Sequence, residues 1–219
     1  MVARAAGGLT LTAAAPNTAP RPDGRAPDPD SLPAHLRRRR DRIVAAAVEL
    51  LEHDEYDAIQ MRDVAKAADV ALGTIYRYFT SKEHLYAEAL LEWSRGFELR
   101  PRRGAGPDDD ANRLRSLLRA AARAFDRQPQ MLRARIAIET STDPNARARW
   151  DEFASSLIAT FRGALRDTPD DRADAVVQVT TIVMDTSLRS WALGRQTMAG
   201  VLQAVDDAVD LIYSPPPGT

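Results

Sequence analysis

The chain has 219 residues, with 30 Lys or Arg against 31 Asp or Glu, a formal charge of −1, and no cysteine. That length suffices for one sizeable core, or for a small domain joined to a larger one. Lack of cysteine excludes disulfides, thiolate catalysis and cysteine-held metals. No apolar run approaches the roughly 20 residues that span a bilayer, and the weakly apolar residues 9–15 are too short and too rich in Thr for a secretory signal, so a soluble cytoplasmic protein without membrane contact is expected.

Residues 1–35 are rich in Pro, Gly and Ala and show neither helical nor strand periodicity, which predicts a disordered tail. Charge is unevenly placed: residues 1–42 hold eight Arg against four Asp, so a basic arm adjoins a neutral body. Order is expected from Leu36. Ile43, Ala46, Ala47, Leu50 and Leu51 recur at helical spacing and give a first helix ending near His53. At its start lie Arg37, Arg38, Arg39, Arg40 and Arg42, which read either as a solvated charged end or, preferably, as a phosphate-contacting cluster.

Met61, Val64, Ala65 and Ala68 form the apolar stripe of a second helix, with Arg62, Asp63 and Lys66 off the stripe. The stripe stops at Asp69, whose short polar side chain tolerates a left-handed or turn backbone. A third short helix follows. Its buried side is expected to be Val70, Ile75 and Phe79, leaving Leu72, Gly73, Thr74, Tyr76, Arg77 and Tyr78 outside, a mixture of small, hydroxyl, phenol and guanidinium groups suited to a nucleic-acid edge. Ser81 then caps a longer helix that carries Leu85, Ala89, Leu90 and Trp93 to about residue 100.

The run Gly73-Thr74-Ile75-Tyr76-Arg77-Tyr78-Phe79 followed by Ser81-Lys82-Glu83 closely resembles the recognition helix of the TetR family of bacterial transcriptional regulators, over roughly residues 38–95. The resemblance implies an all-α fold, with a three-helix helix-turn-helix head at 36–83, a helical effector-binding and dimerisation body at 84–214, and a disordered end at 215–219. It also implies operator DNA as partner, with Lys82 and the Arg37 to Arg42 cluster on phosphate and Arg62 beside them, and the outward residues of the third helix in the major groove. The chain departs from the family pattern at His53-Asp54-Glu55 and Asp69, where glycines are usual, and at Gln60, where a Ser or Thr usually caps the second helix.

Residues 101–110 contain Pro, Gly and three consecutive Asp, a loop whose last Asp can cap the next helix. Further helices are expected at 111–127, 131–140, 145–166, 170–194 and 198–213. The helix at 170–194 is apolar on several sides: Val176, Val179, Val183 and Leu188 in one direction, Val177, Ile182, Met184 and Trp191 in others. Such a helix has to be covered all round, which together with the apolar last helix predicts a homodimer through these two elements. Phe125, Met131, Ile136, Phe153, Phe161, Thr180, Met184 and Trp191 are the candidate lining of an effector cavity; apolar walls suit a lipid-like or aromatic effector. Asp185 and Arg189, four apart, read as an internal ion pair in preference to a ligand anchor. Residues 60–82 and the ending of the helix at 170–194 most resemble actinobacterial repressors of sterol and fatty acyl catabolism, which implies an acyl-coenzyme A effector whose phosphates meet Arg133 and Arg135.

The three histidines, His35, His53 and His84, fall in the tail or the head, and no nucleophile elbow, carboxylate pair or metal-binding helix motif is present. No catalytic residue, metal or cofactor is expected. The expected function is a ligand-responsive repressor; the alternatives are an architectural DNA binder without effector and, well behind, an enzyme.

Overall fold

The computed structural model describes residues 24, 26–95 and 108–214. The expected disordered tail up to residue 23, residue 25, the expected last turn of the fourth helix at 96–100, the expected loop at 101–107 and the expected disordered end at 215–219 lie outside the described residues. Among those described there are nine α-helices, one short 3-10 turn and no strand, and no helix long and apolar enough to cross a membrane.

The head comprises α1 (Ala34–His53), α2 (Met61–Ala67) and α3 (Leu72–Tyr76). Helix α1 starts two residues before Leu36, and the preceding chain is engaged: Asp28 caps the 3-10 turn Pro29–Ser31 and Arg37 donates to the carbonyls of Asp30 and Leu32. Gln60 and Asp63 form a capping box at the start of α2, in which Asp63 accepts the Gln60 backbone N–H at 2.8 Å. Asp69 adopts φ 52°, the left-handed turn that its residue type permits.

Helix α4 (Lys82–Arg95) begins at the expected cap, where Ser81 Oγ accepts from the His84 backbone N–H at 3.0 Å. Every residue from His84 to Leu91 is buried, since α4 packs on α1 as well as on two body helices, α6 (Pro129–Glu139) and α7 (Pro144–Arg162). The body is completed by α5 (Asp110–Arg127), α8 (Asp170–Ala192) and α9 (Met198–Tyr213).

Two expected details change. Asp109, not Asp110, caps α5 by accepting from Asn112 N–H. Asp110 is buried and holds the loop after α7 instead, accepting from the backbones of Arg166 and Asp167 and from the Thr168 hydroxyl; these bonds and Arg113 bring its carboxyl down to about 2. Helix α7 therefore stops at Arg162, short of the expected 166. The α8 end follows a glycine logic: Gly194 takes φ 68° while Arg195 N–H reaches the Ser190 carbonyl and Gly194 N–H the Trp191 carbonyl, which reverses the chain into α9.

Candidate nucleic-acid interface and effector cavity

Packing of α3 sorts its side chains. Ile75 and Phe79 are wholly buried, as their spacing predicts, while Leu72 is 41% and Tyr76 49% exposed. Gly73 is exposed, and a Cβ built on it meets nothing within 4 Å, so no protein contact demands glycine there. Thr74 and Arg77 are half-buried. Tyr78, expected outside, is instead 4% exposed and lies beside Phe79: three residues after the buried Ile75, it falls on the inward face.

The basic cluster also divides. Arg38, Arg39 and Arg42 are exposed, as is Arg37 despite its bonds to two carbonyls, and Arg62 is exposed on α2. Arg40 is buried: it pairs with Glu88 of α4, and its guanidinium lies 5.3 Å from the Phe79 ring centre. Its place is the head core, not the phosphate face. Lys82 is half-buried, donating to the Tyr56 carbonyl with its ammonium 4.0 Å from the Tyr56 ring centre, and burial lowers its pKa. Lys82 is thus already committed to holding the α1–α2 loop.

In the body, α4, α5 and α7 line a half-open cavity of about 230 Å³ formed by Trp93, Ser94, Arg95, Ala121, Phe125, Phe153, Ser156, Leu157 and Thr160. Of the eight expected lining residues, Phe125 and Phe153 are there. Met131, Phe161 and Met184 are core, Thr180 is buried with its hydroxyl given to the Val176 carbonyl of its own helix, and Ile136 and Trp191 pack half-buried against the core. The residues that sequence reasoning missed do carry a signal, since Phe153 and Leu157 form one four-residue stripe on α7 and Ser156 and Thr160 form a neighbouring hydroxyl stripe. The cavity is consequently two-faced, with aromatic walls and a side bearing hydroxyls and Arg95.

Asp185 and Arg189 form the expected internal pair at 2.9 Å, and it belongs to a larger network with Glu139 and Arg135 of α6. Arg135 therefore leaves the proposed phosphate-binding surface. It is buried, 5.8 Å from the Phe125 and 5.5 Å from the Trp150 ring centre, and desolvation lowers its pKa to about 10, leaving it protonated at neutral pH. Arg133 is exposed. On α8 the residues buried against the body include Val176, Val177, Met184 and Leu188, whereas Val179 is 49% and Ile182 57% exposed; Leu211 of α9 is 84% exposed.

The sequence matches the bacterial regulatory proteins of the tetR family over residues 43–89 and the tetracyclin repressor-like C-terminal domain over residues 108–212. It is 34% identical over 177 residues to the HTH-type transcriptional repressor KstR of Rhodococcus jostii, covering 80% of this chain and 82% of that protein, and 32% identical to KstR of Mycobacterium tuberculosis over 80% and 81%. Its fold is similar to a TetR transcriptional regulator from Rhodococcus sp. RHA1, with a TM-score of 0.66 at 23% identity over 82% of this chain and 97% of the other. It is also similar to the regulator FadR of Bacillus subtilis, solved with stearoyl-CoA, with a TM-score of 0.56 at 19% identity over 80% and 97%. A helix-turn-helix head on an all-helical body, matched in both halves, places this chain in the TetR family of DNA-binding transcriptional regulators.

Proposed function

We propose that the protein is a homodimeric cytoplasmic repressor released from its operator when an amphipathic, acyl-CoA-like effector inserts its apolar end into the body cavity. The observation that carries this reading is the two-faced cavity, whose wall residues Trp93, Ser94 and Arg95 end a helix that starts in the head at Lys82. A volume of about 230 Å³ exceeds the roughly 150 Å³ that takes a benzene and is smaller than the roughly 300–1,000 Å³ of sites that swallow drug-sized ligands. It suits the apolar end of a longer molecule, with the polar remainder passing Ser156, Thr160 and Arg95. The KstR and FadR similarities support a regulator of this kind, and the stearoyl-CoA bound to FadR supports the acyl-CoA class.

On this reading Leu72, Gly73, Thr74, Tyr76 and Arg77 meet base edges, while Arg37, Arg38, Arg39, Arg42 and Arg62 meet phosphate. The exposed Val179, Ile182 and Leu211 are covered by the second copy, which sets two heads on half-sites about 34 Å apart or a multiple of it. The test is the affinity of the protein for a duplex selected by it from a random-sequence library, with and without saturating stearoyl-CoA. A loss of about 5- to 150-fold is expected, mirrored by an equal loss of effector affinity on DNA. Unchanged DNA affinity, with effector binding confirmed independently, removes the regulatory reading.

A further inference from the structure

We infer that Asn145, a residue of the body, is a positioning residue for DNA binding, because its side chain ties the N-terminal extension and the chain leaving the recognition helix to one point at the start of α7. Asn145 uses both ends of its amide. Its Oδ1 accepts the Ala26 backbone N–H at 3.0 Å, and its Nδ2 donates to the Gly24 carbonyl at 3.0 Å and to Thr80 Oγ1 at 3.2 Å. Reading an N–H and a C=O two residues apart is how one strand reads another, so the amide holds that stretch of chain in place of a backbone neighbour.

The Thr80 hydroxyl in turn donates to Asp143 Oδ2 at 2.5 Å, which also accepts from the Ser81 hydroxyl at 2.5 Å, while Asp143 Oδ1 caps α7 through the Asn145 backbone N–H. The Thr80 backbone N–H donates to His84 Nδ1 at 3.2 Å, which places the imidazole proton on Nε2 and leaves Thr80 no slack. Three pieces of chain, far apart in sequence, thus meet around one carboxylate and one amide.

The consequence for DNA follows from length. Helix α3 has five residues and ends at Tyr76, four positions before Thr80, so its orientation depends on what holds residues 77–81. The chain clamped at Gly24 and Ala26 leads through Pro29–Ser31 to the exposed Arg37, Arg38 and Arg39. The clamp therefore fixes base-reading and phosphate-contacting groups relative to each other, and such groups have to be held within about 0.5 Å and 10–20° to act together. The clamp acts on DNA binding with or without an effector, and rests on the proposed placing of α3 on base edges and of these arginines on phosphate.

The test uses the full chain with Asn145→Ala, Thr80→Val and, as the conservative variant, Thr80→Ser. Binding is measured on a duplex selected by the wild-type protein and on an unrelated duplex, beside thermal melting and the rate of tryptic cleavage after Arg25, the bond between the two clamped residues. Expected are faster cleavage in Asn145→Ala, and a loss on the order of tenfold on the selected duplex alone in both Asn145→Ala and Thr80→Val, the size of one or two hydrogen bonds used for orientation. Thr80→Ser should bind as wild type, and the small fall in melting expected where a bond to Asp143 is lost should weaken binding to neither duplex at the assay temperature. Wild-type affinity in Asn145→Ala despite faster cleavage, or equal loss on both duplexes, overturns the inference; should Asn145→Ala not fold, the Thr80 pair decides by the same criterion.

Discussion

Five arginines stand within six positions at the start of α1, and Arg40 alone among them is turned into the core, so replacing them singly separates packing from phosphate binding. The Arg40 and Glu88 side chains are about nine-tenths buried. Removing one partner of such a pair costs roughly 3–5 kcal/mol, because the other charge is left buried. Here the loss is reduced, since Arg149 Nε lies 3.6 Å from the same Glu88 oxygen and takes over part of its neutralisation. Loss of the guanidinium from the Phe79 face adds back on the order of 0.5–1 kcal/mol. Arg40→Ala should therefore destabilise by about 2–4 kcal/mol, which for a chain of this size lowers the melting temperature by roughly 5–15 °C. Arg38→Ala should leave melting unchanged but reduce the slope of log affinity against log salt by about 0.9 for each phosphate that the arginine neutralises. Replacing both partners with apolar residues, Arg40→Met with Glu88→Leu, should recover most of the stability. Calorimetry and salt-dependent fluorescence anisotropy measure the two effects. Wild-type melting in Arg40→Ala, accompanied by a reduced salt slope, would show that Arg40 faces phosphate and refute the assignment.

Gly73→Ala should raise melting slightly, since alanine favours helix by up to about 1 kcal/mol and its Cβ enters open space, yet weaken operator binding by crowding the DNA; unaltered binding removes the close-approach reading. Ile182→Glu sets a charge in the middle of the exposed α8 stripe and should give monomers at micromolar concentration by light scattering, whereas a persistent dimer would place the interface elsewhere. Burial lowers the His84 pKa to about 4. The unfolded chain, with its histidine near 6.5, then binds the proton first as pH falls, so stability drops between about pH 6.5 and 4 by up to about 3 kcal/mol. His84→Gln should flatten that window in acid titrations of stability, and an unchanged slope in the variant would assign it to other groups. The carboxyl of Asp143, brought down to about 2 by the Ser81 and Thr80 hydroxyls and the Asn145 N–H, contributes stability above about pH 3.8 that is lost as pH falls toward 2; Asp143→Asn should diminish that acid-limb loss.

Much of the architecture is legible in residue type and spacing because it is set locally. Asp69 marks the turn, Ser81 marks a helix start through its own hydroxyl, and Gly194 marks a helix end. What escapes is set by angle and by residual space. Arg40 in fact lies on the stripe of Ile43, Val44, Ala47 and Leu51, so helical spacing already carries its burial; reading the arginines as a block hides it. Tyr78, three residues after the buried Ile75, shares its inward face by helical spacing, and reading its phenol as a DNA-facing group hides this. The cavity is harder still, for it is the space left over between three packed helices, and a large apolar residue such as Met131 fills core as readily as it lines a void.

The uninterrupted burial of α4 from His84 to Leu91 also bears on how such a protein can be rebuilt or can diverge. A head cut off after Phe79 would lose the helix against which α1 packs and would leave Arg40 without its carboxylate. Operator preference can therefore change by substitution on the outer face of α3, where Leu72 and Tyr76 touch little else, but a whole head cannot be exchanged as a cassette unless α4 travels with it. Because α4 is also seated on α6 and α7, a graft carrying it has to match a foreign body along both helices. Recognition is replaceable residue by residue in this chain, whereas the joint between reading and response is inherited as one piece.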